Sequence, residues 1–246
     1  TALNIAGTLN GTAVNLTAAL GDLTQDPAAS RVLATELALS APAGAVLLDG
    51  TRNAIPRLRG TARDGFTVDA GGALTLSGPV RGAVVDLRTL GDLTQDIGAA
   101  ITAGTLRVNA PVGSVTLDDP GNAVAALGDA GAGVAFTLST ANALSLDGAL
   151  NAPRVTLVAD AISQGTTGSI TTALLRANAR TGDVTLTGAG NAVDALGDGG
   201  AGRDFDVRTS GALAVTGALD ATRNLTLDAA TLRLAAPLVA NSISLT

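Results

Sequence analysis

The chain has 246 residues and a net charge of −6, and it lacks Cys, Met, Trp, Tyr and His; its 15 basic residues are all Arg, and all but Glu36 of its 21 acidic residues are Asp. These absences exclude a His- or Cys-ligated metal centre, a Ser-His-Asp or Cys-His nucleophile and a lysine Schiff base. Scattered Arg in a chain of pI near 4.5 form no basic stripe for nucleic acid, and no run approaches the roughly 18 consecutive apolar residues of a membrane span.

In chain order, the sequence alternates short apolar-x-apolar pairs with turn residues. Gly7 and Gly78 stand in Leu-x-φ-x-Gly frames, as do Gly148 and Gly217 further on. Gly21-Asp-Leu-Thr-Gln25-Asp26 opens the first long segment and is followed by Asn53 and Phe66. Leu74/Leu76 come next, then Gly91-Asp-Leu-Thr-Gln95-Asp96, Val115/Leu117, Asn122 and Phe136. A third round runs through Val155/Leu157, Ile162-Ser-Gln164, Val184/Leu186, Asn191 and Phe205. Leu213/Val215, Leu225/Leu227 and Ile243/Leu245 close the chain. Polar Thr, Ser, Asp or Asn usually separates the apolar partners, which is the period of half-buried strands. The best helical windows are Asn122–Leu127 and 191–196, with Asn as N-cap, but six residues before Gly-Asp are short for a helix.

Gln25, Gln95 and Gln164 are 70 and 69 apart; Asn53, Asn122 and Asn191 are 69 and 69 apart; Phe66, Phe136 and Phe205 are 70 and 69 apart. This spacing defines a unit of about 70 residues, with copies at 1–65, 66–135, 136–204 and 205–246 in one domain spanning 1–246. Tight turns and small aliphatic side chains, repeated at a fixed period, point to an all-β fold: a parallel β-helix or β-solenoid. Three coils of roughly 23 residues divide the unit naturally, and four tighter ones also fit. About ten coils stacked at roughly 4.8 Å would give a rod on the order of 50 Å long. The Gln and Asn markers are expected at corners, where they satisfy turn backbone groups. The three Phe are expected to plug wider parts of the lumen.

With the repeat in hand, the chain resembles the β-helical repeat regions of filamentous haemagglutinin-like bacterial exoproteins exported by two-partner secretion. The likeness rests on Gly91-Asp-Leu-Thr-Gln95, Ile101-Thr-Ala-Gly-Thr-Leu106, Gly113-Ser-Val-Thr-Leu117 and Gly121-Asn-Ala-Val124, with counterparts from Ile162 to Val193. It implies a right-handed parallel β-helix, secretion to the cell surface, and a role as adhesin shaft or extracellular filament. The secretion domain of that family is not evident. Thr1 in place of Met, a first copy without its Phe strand, and Ile243-Ser-Leu245 arriving ten residues early lead us to expect a segment of something longer. Its partners would be neighbouring repeats, or identical chains stacked end to end into a fibre, and a host or surface receptor or polysaccharide. No cofactor, no nucleic acid and no membrane insertion are expected.

Three features invite other readings. Gly199-Gly-Ala-Gly-Arg-Asp204-Phe-Asp206 approaches a calcium β-roll nonapeptide, but it occurs once. Recurrent Gly-Asp at 21–22, 91–92, 128–129 and 197–198 offers carboxylates to calcium, although turn Asp are common. Asp118-Asp119 is the only adjacent acidic pair and the best candidate for acid–base hydrolysis of a polysaccharide. Sugar-stacking Trp and Tyr are missing, so a polysaccharide-active or sugar-binding protein stands as the alternative to a non-catalytic structural one.

Overall fold

The computed structural model describes residues 1–246 and is built from 30 strands without a helix. Contacts divide it into two compact units, Thr1–Val124 and Ala125–Thr246. Each is a parallel β-solenoid, and together they wind about 12 turns, two more than the sequence period suggests. The reason is coil size. The separation of paired residues runs from that of Leu144 and Ile162 at the shortest to that of Leu23 and Val46 at the longest. A coil therefore takes about 20 residues, the low end of the range for stacked repeats.

The first unit shows what this does to the repeat. One ladder carries Leu3, Leu23, Val46, Phe66, Val85 and Leu106 in register. A second carries Val14, Leu37, Leu58, Leu76 and Gln95, with Leu74, Leu93 and Val115 alongside. Leu23–Gln25 belongs to the first ladder and Leu93–Gln95 to the second. The step between marker copies therefore spans about three and a half coils, and the repeated hexapeptide returns on the other side of the section. The second unit repeats the pattern. Phe136 heads a ladder through Val155, Leu175, Leu196, Val215 and Leu234. Phe205 lies on the other, between Val184 and Leu225.

Strand formation follows from alternation. In Gly65–Ala70 and Arg154–Ala159 every second residue is buried, Phe66, Val68 and Ala70 in one and Val155, Leu157 and Ala159 in the other, while Thr67, Asp69, Thr156 and Val158 between them are half-exposed. Outward Thr stack on neighbouring coils, and the hydroxyls of Thr75 and Thr94 lie 2.9 Å apart. β-Branched residues suit this pleated surface. The lumen is filled by Leu, Val, Ile and Ala, and Phe66, Phe136 and Phe205 are its largest fully buried side chains. The two windows with most helical character, too short for a helix, are strands: Ala123–Ala132, and Ala192–Val193 with Ala195–Leu196. Parallel pairing with adjacent coils satisfies their backbone, and Asn122 and Asn191 put their amides to a different use.

Truncating a Phe that fills the lumen leaves a void with walls held by ladder hydrogen bonds. Phe136→Ala is expected to lower the unfolding free energy by about 3–5 kcal/mol, measured as a fall in the urea midpoint, while Thr156→Ala on the outer face should leave it nearly unchanged.

Candidate functional site

Each marker Gln ends a short strand: Leu23–Gln25, Leu93–Gln95 or Ile162–Gln164. Each marker Asn stands in the turn just before a later strand or, for Asn53, before the isolated bridge of Ala54. Their side chains meet as reciprocal amide pairs. Gln25 Nε2 donates to Asn53 Oδ1 at 2.8 Å, and Asn53 Nδ2 donates to Gln25 Oε1 at 2.9 Å. For Gln95 and Asn122 the distances are 2.7 and 3.1 Å, and for Gln164 and Asn191 they are 2.7 and 3.0 Å. Asn53, Asn122 and Asn191 are almost wholly buried, so the pairs lie where an unpaired amide would be costly.

Backbone groups complete each clamp. Val32, Ile101 and Ile170 donate their N–H to the Asn carbonyl oxygen. Gly50, Asp119 and Gly188 donate theirs to the Gln carbonyl oxygen. The spare amide protons reach main-chain carbonyls, from Gln95 to Ala99 and from Gln164 to Gly168. Asn122 and Asn191 donate in the same way to Leu117 and Leu186. The three sites thus share one geometry. Reading Gln and Asn as separate corner groups misses the pairing. The signal for it was their nearly constant separation, 28 in the first pair and 27 in the other two.

The Gly-Asp pairs form a second recurring device. Asp22, Asp92, Asp129 and Asp198 each accept, on Oδ1, the N–H of a residue one coil later: Ala45, Ser114, Ala149 and Ala218, at 2.8 to 3.0 Å. The residue before each donor is Gly44, Gly113, Gly148 or Gly217. A Cβ on Gly44 would lie 2.6 Å from the carbonyl carbon of Gly21, and one on Gly113 would lie 2.6 Å from Asp92 N. These carboxylates cap turns, and no group of three or more acidic residues converges on a metal-sized site.

Of the remaining candidates, Asp119 and Asp204 are engaged by backbone, whereas Asp118 is exposed. Asp119, nearly buried, accepts from Gly98 N at 2.6 Å and Gly121 N at 2.8 Å. Gly98 holds the left-handed φ of +81° that this loop requires. Asp204 accepts both the N–H and the side-chain amide of Asn224. Asp206 faces outward in Phe205–Arg208, and burial followed by the charge of Asp228 pushes its carboxyl above the usual range. Shallow grooves lie at the bends. One is lined by Gly11, Ala34, Ala54 and Pro56, the other by Gly133, Pro153, Ala173 and Asp194.

Fold and recurring clamp together define a β-solenoid repeat protein. The chain belongs to the family described as repeats of unknown function (DUF5649), which it matches over residues 62–129 and 132–195. The two matches start at equivalent points of the repeat, shortly before Phe66 and shortly before Phe136. No curated protein and no solved structure matches the chain.

Asn122→Ala would take two hydrogen bonds from the Gln95 amide and leave the Ile101 N–H unpaired in a buried corner. The variant is expected to lose roughly 2–4 kcal/mol in chemical denaturation. Thr116→Ala, on the outer face two coils along from Thr75, serves as the comparison and should lose far less.

Proposed function

We propose that this chain is a structural and adhesive shaft segment of a secreted bacterial surface protein or extracellular filament, in the manner of the filamentous haemagglutinin-like exoproteins, and that it carries out no catalysis. The recurrence of one Gln–Asn clamp at three equally spaced corners supports this reading most. A protein that shapes a substrate cleft diversifies one part of its repeat, whereas this one uses its buried amides to build one corner three times over. Continuous parallel ladders resist shear because many hydrogen bonds must break together, and their stability accumulates from nearest-neighbour interfaces. Secretion rests on the likeness to exported β-helical exoproteins, and adhesion would draw on a surface receptor or polysaccharide. Neighbouring repeats, or the end coils of identical chains, would pair with strands such as Ser242–Leu245, whose Ile243 and Leu245 are partly exposed.

Antiserum raised against the chain should label intact, unpermeabilised cells of the bacterium that makes it, and electron micrographs of the released protein should show thin rods. Label confined to permeabilised cells would overturn the surface role. Release of reducing sugar from acidic polysaccharides by the wild type, lost in Asp119→Asn, would overturn the non-catalytic one.

A further inference from the structure

Most carboxylates of the first unit are spoken for, by turn amides or by Arg. Asp49 and Asp69 are the least well held. Leu48 pairs with Val68, so the residues that follow, Asp49 and Asp69, fall at the same corner on neighbouring coils. Each has a buried Oδ1 without a hydrogen-bond partner. One coil further on, Asp69 pairs in register with Arg88. That guanidinium is committed chiefly to Asp86, at 2.7 Å, and lies 3.7 Å from Asp69 Oδ1.

The charged groups around Asp69 can be counted element by element. The turn after Val46–Leu48 brings Asp49 and Arg52, and Arg52 spends its Nη2 on the carbonyl of Ala28. Leu74–Thr89 brings Asp86 and Arg88. Ile101–Ala110 brings Arg107, in register with Asp86. Asp69 and Asp86 thus compete for the Arg88 guanidinium, with Asp49 on the coil before them, a crowding of half-buried carboxylates that cannot all stay ionised without cost. Burial pushes the Asp69 carboxyl above its ordinary range; Arg88 pulls it down, and Asp86 and Asp49 push it up.

We propose that the Asp49–Asp69 corner is a proton-operated joint, which tightens the packing of adjacent coils when Asp69 is protonated and loosens it when Asp69 ionises. A neutral carboxyl removes one of the competing charges and adds an O–H donor beside the unmet acceptor of Asp49. Arg88 is then left to Asp86. A cleft of about 130 Å³ lined by Asp69, Arg88, Thr51 and Asn109 opens the corner to water, so protons exchange without unfolding. The sign follows from linkage. A carboxyl raised in the folded state favours folding fully below its unfolded value, near 3.9. That contribution is lost as pH rises through the folded value.

The test compares the melting temperature of the wild type with that of Asp69→Asn across pH 3.5 to 7.5, together with carbon-detected NMR titration of the Asp69 carboxyl. Asparagine is neutral throughout, so the variant should melt about 2–3 °C above the wild type at pH 7.5, with the difference gone at pH 3.5. Asp69 should titrate above the other aspartates, and Asp49→Asn should move it downward. A melting difference independent of pH, or an Asp69 titration within or below the ordinary range, overturns the proposal. Where Asp69→Asn fails to fold, the wild-type titration and its response to Asp49→Asn decide.

Discussion

Every residue in a coil is bounded, above and below, by another strand about 4.8 Å away. This single spacing governs the composition. An inward side chain meets its counterpart one coil on, so the lumen accepts Leu, Val, Ile and Ala stacked on one another. It accepts a Phe only where the neighbouring coils make room, as Val46 and Val85 do on either side of Phe66. The same spacing forbids a Cβ at Gly44 or Gly113, where the chain of the previous coil passes directly against the turn.

Corners are where this spacing is hardest to satisfy, because the ladder stops there while the backbone stays buried. The chain answers with two devices of different reach. An Asp carboxylate caps an amide of the very next coil, and a Gln–Asn pair ties the end of one strand to a turn more than a full coil later. Both use side chains that carry donors or acceptors in fixed planar geometry. Neither needs a charge pair in the interior, which accords with a surface whose ion pairs, such as Arg57 with Asp96, are solvent-exposed.

Much of this was legible in the residues. Period-two alternation identified the strands, and the Gln, Asn and Phe markers revealed the long period. The size of the coil was not legible, because it was natural to assume that a repeat holds a whole number of coils. The separation of paired residues drifts from ladder to ladder, between the extremes of Leu144 with Ile162 and Thr8 with Arg31, so no marker recurs at the coil length itself. At Asn122 and Asn191 the Asn before Ala-rich sequence has the look of a helix cap, which draws the eye away from its real partner. The Gln that claims each amide lies more than a coil upstream, beyond any local pattern. The joint at Asp49 and Asp69 was equally hidden. Each is an ordinary turn or strand Asp in sequence, and only the stacking of Leu48 on Val68 brings them together.

The half-integral step has an outcome for display. Within each unit the step of about three and a half coils carries a marker from one ladder to another, so the two copies that a unit holds lie on different sides of its section. An epitope or docking patch encoded once per duplication would therefore point left, then right, like leaves set alternately along a stem. Within one unit, two partners could occupy consecutive copies without colliding.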